Sequence, residues 1–272
     1  MARTGERMAK QAAESKPVQL VGRMGLATYG VVHLLIAYIA VRIALGTGDP
    51  GDKADKTGAL QQLAGTAGGL WPLWIITIGL GALVVWQLSE AVLGHRELTR
   101  GRALRRSVNI GEAVLFAYLA YSAGRIAAGG KSPSNADQSS LVAKLLAQPY
   151  GKWIVALIGV AIMAGAALLV HHGVTKAFRR DLDLSGASPT ARRTAIRLGQ
   201  LGYPAVGAVY GIAGLLVVVA ALRSQPDKAT GLDTALKTLV SQPYGPYLLL
   251  AMAAGLAAFG AFALFDARYR SE

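Results

Sequence analysis

One pattern occurs three times along the 272-residue chain, and each copy is centred on a glycine. With Gly69, Gly151 and Gly245 as origins, leucine or valine recurs nine and six residues upstream, and a long uncharged run follows downstream. The residues twelve upstream are predicted helix N-caps, because their side-chain oxygen can accept from a free backbone N–H. They are Thr57, Ser139 and Asp233. A register kept across three segments predicts an internal repeat, so the chain is expected to fold as three copies of one unit.

The composition places these units in a membrane. Apolar residues make up 53% of the chain and charged residues 16%, whereas soluble domains carry about a quarter charged residues. Six apolar segments are each near the ~20 residues that cross ~30 Å of hydrocarbon as a helix. They are residues 26–45, 70–93, 108–128, 153–174, 203–222 and 247–265. Helices satisfy their own backbone hydrogen bonds in lipid, so we predict an all-α integral membrane protein with six transmembrane helices.

The repeat also divides the chain. A basic N-terminal segment, residues 1–17, precedes three membrane repeats at 18–98, 99–182 and 183–272, which together form one membrane domain. Each repeat is predicted to contain a spanning helix, a loop with a short amphipathic surface helix, and a returning helix. The surface helices are predicted at residues 58–65, 140–148 and 234–242. Three equivalent hairpins favour a pseudo-threefold bundle.

The turns and the spans carry their own signals. Gln-Pro-Tyr-Gly occurs at 148–151 and again at 242–245. The proline disfavours helix at the residue before it, the glycine is expected to permit the reversal, and the tyrosine suits a membrane interface. Small residues spaced four apart, which let helices approach closely in lipid, occur in three spans. These pairs are Gly207 with Gly211, Ala251 with Gly255, and Ala161 with Gly165.

The basic residues predict an orientation. They are concentrated in the N-terminal segment, in the loops around 96–106 and 176–197, and in the C-terminal tail. By the positive-inside rule, both termini are predicted to be cytoplasmic in a multi-pass protein of the bacterial inner membrane. The pI of about 10.2 then reflects topology and attraction to anionic lipids. No basic face with interleaved aromatic residues suggests a nucleic-acid partner.

Three ionisable residues occupy equivalent positions twenty-one residues after the origin glycines: Glu90, His172 and Asp266. In a threefold bundle they would form a polar ring near the cytoplasmic face, able to relay protons or bind a cation. The alternative is that each lies at a helix exit and pairs with a nearby base, as Asp266 could with Arg270 one turn away.

Other polar residues within the predicted spans are His33, His171 and Glu112. His33 is expected to make a hydrogen bond between helices rather than carry protons, and Glu112 is expected at the interface. Three arginines stand at the outer ends of spans, Arg42, Arg125 and Arg223. Snorkelling to the surface explains them, with substrate binding as the alternative.

Catalytic and metal chemistry have no support in the sequence. The chain has no cysteine, and the adjacent rings of His171 and His172 point about 100° apart on a helix, so they cannot clamp one metal as an i, i+4 pair would. Nucleophile-elbow, Walker and zinc-protease motifs are absent from the sequence. We therefore expect no metal, no cofactor and no enzymatic activity.

The sequence resembles a known family through three features: Gly-Tyr-Pro-Ala-Val-Gly at 202–207, the two Gln-Pro-Tyr-Gly turns, and Asp-Ala-Arg-Tyr-Arg at 266–270. It is similar over nearly its whole length to a bacterial membrane family catalogued as domain of unknown function 1206, which has three tandem two-helix units. The resemblance implies this architecture but no activity, cofactor or catalytic residue.

Two classes of function stay open at this stage. Close-packing motifs, basic inner loops and the lack of a catalytic constellation favour a non-enzymatic accessory or partner-binding subunit, with a membrane-protein partner and a setting in envelope or lipid handling. The alternative is a small transporter or channel that uses the ring of Glu90, His172 and Asp266. The two classes differ in whether the axis of the bundle is polar or packed with small apolar side chains.

Overall fold

The computed structural model describes residues 16–47, 56–66, 68–93, 102–130, 135–225, 232–240 and 242–270. This part of the chain forms nine α-helices and one short 3₁₀-helix, and its only β-type pairing is a single bridge between Leu182 and Arg270. The helices are α1 (Lys16–Ala44), α2 (Lys56–Ala64), α3 (Leu70–Leu93), α4 (Arg102–Ala127), α5 (Asn135–Leu146), α6 (Gly151–Val174), α7 (Pro189–Arg223), α8 (Leu232–Val240) and α9 (Gly245–Tyr269), with the 3₁₀-helix at Ala177–Asp181.

Five of these helices are long and apolar enough to cross a membrane, by length and composition: α1, α3, α6, α7 and α9. The helix in the position of the sixth predicted span, α4, has 26 residues. It does not reach the apolarity of the others, because polar side chains such as Asn109, Glu112 and Ser122 lie along its middle.

The long helices pack in the order α6, α7, α9, α1, α3, α4. In every repeat the second long helix lies along the first long helix of another repeat: α3 on α4, α6 on α7, and α9 on α1. The two helices of the first repeat also pack together, as do those of the third, whereas α4 and α6 of the second repeat share at most a marginal contact. The second repeat is thus opened relative to the other two.

Glycines set two of these helix contacts. A Cβ on Gly159 would lie 2.9 Å from the carbonyl oxygen of Gly214, and a Cβ on Gly214 would lie 2.9 Å from that of Gly159. Gly30 and Gly260 make the same reciprocal approach between α1 and α9, at 2.7 and 2.8 Å. Gly165 differs, because a Cβ there would meet nothing within 4 Å. Within the part of the chain that the structure describes, no helix therefore packs closely against the predicted pair of Gly165 and Ala161.

The three origin glycines have one structural role in common. A Cβ would lie 1.8 Å from the carbonyl oxygen of Leu63 at Gly69, 1.8 Å from that of Leu145 at Gly151, and 2.0 Å from that of Val240 at Gly245. The reversal itself falls one residue earlier, at the positive φ angles of Gly68 (80°), Tyr150 (64°) and Tyr244 (63°). The prediction that glycine supplies the reversal is wrong in the two tyrosine turns, where glycine is needed for close backbone approach.

The short helices also differ from the expectation. They begin before the predicted caps, because Thr57, Ser139 and Asp233 all lie inside them. Helix α5 packs mainly on α6 and is largely exposed. Helix α2 instead packs on α1, α3 and α4, and buries Lys56, Ala59 and Leu60. The prediction of a surface helix is wrong for α2, which inserts into the bundle.

We call the end of the bundle that holds Gly69, Gly151 and Gly245 the turn end. The opposite end, where the 3₁₀-helix and Arg270 lie, is the tail end. Phe178 of the 3₁₀-helix packs there with Leu182 and Phe262 in a small buried cluster. The larger core, which includes residues of α1, α3, α4, α7 and α9, lies nearer the turn end and takes in Leu60 of α2 and Leu236 of α8.

Candidate functional site

The most unusual buried group is the side chain of Lys56, the first residue of α2, which is only 6% exposed. Its ammonium donates a hydrogen bond to the hydroxyl oxygen of Tyr29 in α1, at 3.4 Å. The same nitrogen lies 4.9 Å from the ring centroid of Tyr29 and 5.6 Å from that of Tyr210 in α7. Two aromatic rings from different repeats therefore hold one cation.

This cation lies far from both ends of the bundle. Tyr29 is fifteen residues before the end of α1, and Tyr210 is thirteen residues before the end of α7. At about 1.5 Å per residue, both tyrosines lie roughly 20 Å from the turn end. Because α2 leads from Lys56 to the turn at Gly69, it carries the ammonium inward to this depth.

The groups around the Lys56 ammonium are phenols rather than carboxylates. The hydroxyl groups of Tyr29 and Tyr210 both interact with it. Among the described residues, no carboxylate oxygen lies within 4.0 Å of this ammonium. The site is thus positively charged and lacks a direct counter-charge from that part of the chain.

His33 lies beside the same site, one turn along α1 from Tyr29, and is only 1% exposed. Its Nδ1–H donates to the backbone carbonyl oxygen of Tyr29 at 2.9 Å, which leaves Nε2 as the acceptor nitrogen in the neutral ring. The ring packs on Tyr29 and on Phe259 of α9, with centroids 4.3 and 4.9 Å apart. The hydrogen bond stays within α1, so it does not join two helices as predicted.

Glu112 of α4 lies between this site and the tail end. It accepts a short hydrogen bond from the side-chain amide of Gln87 in α3. It is within electrostatic reach of both Lys56 and Arg270. Glu112 therefore links the central cation to the charges at the tail end.

At the tail end, Tyr203 of α7 is the meeting point of two predicted ring residues. The His172 ring lies 4.9 Å from the Tyr203 ring, and the Asp266 carboxylate is within electrostatic reach of the Tyr203 hydroxyl. Stacking of Tyr203 on Phe178, at 5.5 Å between centroids, closes the cluster toward the 3₁₀-helix.

Each of these two ring residues also has a local charged partner. One oxygen of Asp266 accepts from Arg270 at 3.2 Å, while the other is buried and has no hydrogen-bond partner. His172 Nε2 lies 3.9 Å from Asp181 of the 3₁₀-helix. The pairing of Asp266 with Arg270 is the alternative that the sequence left open. Glu90 lies partly buried in α3, and the closed ring of three stays a prediction.

The end of α9 is tied to the loop between α6 and α7. The backbone N–H of Asp183 donates to the carbonyl oxygen of Tyr269 at 2.7 Å. In the same loop, the hydroxyl and backbone N–H of Ser185 bond the Asp183 carboxylate and hold its pKa below the ordinary value. These contacts fix the tail-end cluster against the loop.

The remaining predicted residues lie at the ends of helices. His171 is exposed near the end of α6. Arg42 donates to the carbonyl oxygen of Thr47 at 3.0 Å, and the Arg125 guanidinium lies 5.8 Å from the Tyr121 ring. Arg223 is exposed at the last residue of α7. All three arginines stand at the turn end, as snorkelling requires, and their role in substrate binding stays a prediction.

Sequence reasoning missed Lys56, Tyr29 and Tyr210, although one signal was available. Thirteen residues before the origin glycines, the three repeats carry Lys56, Gln138 and Leu232. Only the first repeat therefore has a charged residue at this position. The depth of Lys56 could not be read from that pattern. Among the described residues, no group of three or more His, Cys, Asp or Glu side chains could hold a metal ion.

The fold and this buried cluster define an all-helical protein built from tandem repeats, with apolar helices of membrane-spanning length. The chain belongs to the family described as Domain of Unknown Function (DUF1206), whose pattern matches three times in tandem, at residues 24–94, 109–176 and 201–270. The Bacillus subtilis (strain 168) protein described as "Uncharacterized protein YxxB" is 30% identical over 267 residues, which cover 97% of this chain and 95% of that protein. No solved structure matches the chain.

Proposed function

We propose that the protein crosses the bacterial inner membrane six times, with the turn end outside and both termini in the cytoplasm. Each family match spans one pair of long helices, and α4 buries Phe116, Leu119 and Ala123 against its neighbours, which supports counting it as a crossing. The basic loop at 176–197 lies at the tail end, which supports the orientation. The cyclic packing of each second helix on another repeat's first helix supports a pseudo-threefold arrangement.

We further propose that the protein is a small transporter or channel for an ionic solute. The observation that carries this proposal is the buried ammonium of Lys56, because charged groups inside a membrane bundle are costly and mark solute pathways more often than structural sites. An axis packed only with glycine, alanine and leucine would favour an accessory role. The charge near the centre favours transport over that role.

Polar groups toward the tail end support a route through the bundle. Glu112 is within electrostatic reach of Lys56, and Tyr203 is within electrostatic reach of both Glu112 and Asp266. The free oxygen of Asp266 and the hydroxyl of Ser122 in α4 are both buried without a hydrogen-bond partner. Such groups call for water or a solute as partner.

The proposed central site is Lys56 and not the predicted ring of Glu90, His172 and Asp266. Asp266 and His172 would form the cytoplasmic exit around Tyr203, and Lys56 would be the central site. We propose no catalysis and no cofactor for this route. A nucleic-acid partner is likewise outside the proposal.

Anionic lipids are the proposed surroundings of the tail end. Arg192 and Arg193 line a groove of about 440 Å³ together with Leu184 and Ile196. Basic residues near a membrane surface each contribute about 1 kcal/mol of attraction to anionic lipids. The groove combines this charge with an apolar floor, which supports lipid contact there.

The test is charge movement by the purified full-length protein in liposomes adsorbed on a solid-supported electrode. Solutions that differ in one ion are exchanged rapidly, over a panel of small anions, small cations and protons. We expect a transient current for at least one ion in the wild type, and its loss in Lys56→Met. Lys144→Met is the matched control, because Lys144 lies exposed in α5, the corresponding helix of the second repeat.

Wild-type liposomes without current for any ion in the panel would contradict transport. Equal currents in Lys56→Met and wild type would contradict the role of Lys56. Circular dichroism of each variant checks that the helices are retained.

A second candidate, the partner-binding role, has one specific support. Ala161 and Gly165 of α6 are exposed, and no atom of the described residues would lie within 4 Å of a Cβ at Gly165. Small residues four apart suit contact with another helix. Native mass spectrometry from membranes should then show a second chain that Gly165→Leu releases; a monomer in both would count against this role.

A further inference from the structure

We infer that Lys56, Tyr29 and Tyr210 form a binding site for one small monovalent anion. The inference deepens the proposed function by naming the class of solute, and it rests on that function only for the movement of the anion. Binding itself can be tested without transport.

The buried ammonium needs a charge that balances it. An ammonium removed from water requires a counter-charge, because the desolvation of an unpaired ion costs several kcal/mol. The described residues place no carboxylate against Lys56, and Glu112 acts on it only from a longer distance. A single negative charge at the ammonium would neutralise the site, whereas a cation would be repelled and a dianion would leave a net charge.

The site also offers several hydrogen-bond donors to an anion. The Lys56 ammonium has three N–H donors, one of which goes to the Tyr29 hydroxyl oxygen. The Tyr210 hydroxyl also interacts with this ammonium. Each phenol that accepts from Lys56 keeps its own O–H free to donate. Ammonium and phenol donors around one point suit a halide, nitrate or small carboxylate.

The other two repeats have no equivalent of this site. Gln138 and Leu232 stand at the position of Lys56. His33 and Tyr210 occupy equivalent positions, each eight residues after Gly25 or Gly202, and both lie around the single lysine. The first and third repeats thus each place an aromatic ring beside the ammonium, and only the first repeat supplies a charge. We therefore expect one anion per chain.

The residues around the site favour binding of an anion next to Lys56 and disfavour binding next to Glu112. Gln87 already donates to one carboxylate oxygen of Glu112, and an anion at Glu112 would meet like charge. Aromatic rings of Phe116 and Phe259 pack around Tyr29, at 5.4 and 6.0 Å between centroids. These rings limit water around the ammonium and strengthen its attraction for an anion.

The experiment measures anion-dependent stability of the full-length protein in lipid nanodiscs. Melting temperatures are compared in sodium isethionate, whose anion is bulky, and in sodium chloride, nitrate or formate at the same ionic strength. We expect the wild type to melt a few degrees higher with at least one small anion, because a ligand that binds only the folded state raises its stability. Isothermal titration with that anion should give one site per chain.

Lys56→Met should abolish both the shift and the binding, and should melt higher than wild type in isethionate, because it removes a buried charge that no carboxylate among the described residues contacts. Tyr210→Phe keeps the ring and removes one donor, so its affinity should fall about tenfold. Lys144→Met should behave as wild type. If Lys56→Met does not fold, the Tyr210→Phe and Lys56→Arg titrations decide the question.

An equal anion shift in wild type and Lys56→Met would overturn the inference, as would a wild type that binds none of the three anions. The latter result would leave Lys56 as an internal tether for α2. Anion binding without charge movement would support the site and overturn transport; charge movement of cations alone would support transport and overturn the anion site.

Discussion

The Lys56 ammonium donates to the Tyr29 hydroxyl over 3.4 Å, although the residues are 27 apart in sequence. This contact joins the first residue of α2 to the middle of α1, so it fixes how far α2 enters the bundle. Tyr210 completes the contact from the third repeat. One lysine therefore connects the first repeat to the third.

The crossing of α6 and α7 predicts a large difference between two glycines of α6. In Gly159→Val, the new side chain would press on the carbonyl oxygen of Gly214 and on Val218, and we expect a loss of about 1–3 kcal/mol in the free energy of unfolding. In Gly165→Val nothing lies within 4 Å of the added Cβ, so the loss should stay within about 0.5 kcal/mol. Unfolding in mixed micelles, followed by circular dichroism, measures both. Equal losses would contradict the helix contact.

In the Gln-Pro-Tyr-Gly turn, substitutions of the glycine and of the tyrosine should differ in their effect on stability. Gly151→Ala should lower the free energy of unfolding by about 1–3 kcal/mol, because its Cβ would lie 1.8 Å from the carbonyl oxygen of Leu145. Tyr150→Gly should cost little, because glycine adopts the positive φ of 64° without strain. The same unfolding assay applies. A larger loss for Tyr150→Gly than for Gly151→Ala would show that the turn is held by the tyrosine side chain.

The orientation and the sixth crossing can be tested with single thiols, since the chain contains no cysteine. Cysteines at Thr66 and Gln148, both exposed at the turn end, should react with a membrane-impermeant maleimide in intact spheroplasts. A cysteine at Ser185 should react only after permeabilisation. Cysteines at Ala103 and Ala128, on either side of most of α4, should react from opposite sides. Labelling of both from one side would mean that α4 does not cross.

The ion pair at the tail end predicts a non-additive pair of substitutions. Arg270→Gln should cost about 1–3 kcal/mol, because it leaves the Asp266 carboxylate buried and unpaired. Adding Asp266→Asn should recover most of the loss, since the charge is then gone. Arg268→Gln is the control and should cost little, because Arg268 is exposed and lies two residues before Arg270. Additive losses in the double-mutant cycle would mean that the pair contributes no coupling.

Helices and repeats were predictable because they depend on local order along the chain. The uncharged runs after Gly69, Gly151 and Gly245 became α3, α6 and α9, which begin within one residue of those glycines. The predicted N-caps were wrong, because each short helix begins at least one residue before Thr57, Ser139 or Asp233. The pairing of Asp266 with Arg270 could be predicted, because Arg270 directly follows the last residue of α9 and lies only four residues after Asp266.

The location of the central site was not predictable. The residues nine before the origin glycines are alike, Leu60, Val142 and Leu236, yet Leu60 and Leu236 are buried in the core and Val142 is not. The same local pattern thus gives an inserted helix and an exposed one. What differs is the space between neighbouring long helices, and no single segment encodes that space.

The amino-acid sequence by itself determined that the chain forms apolar helices in three similar units, because hydrophobic periodicity and glycine turns act over a few residues. Only the tertiary structure decided that the second unit opens, that α2 enters the bundle, and that Lys56 meets two tyrosines from different units. Those outcomes depend on contacts between segments far apart in sequence, where packing and the cost of burying charge select one arrangement from several that the local pattern permits.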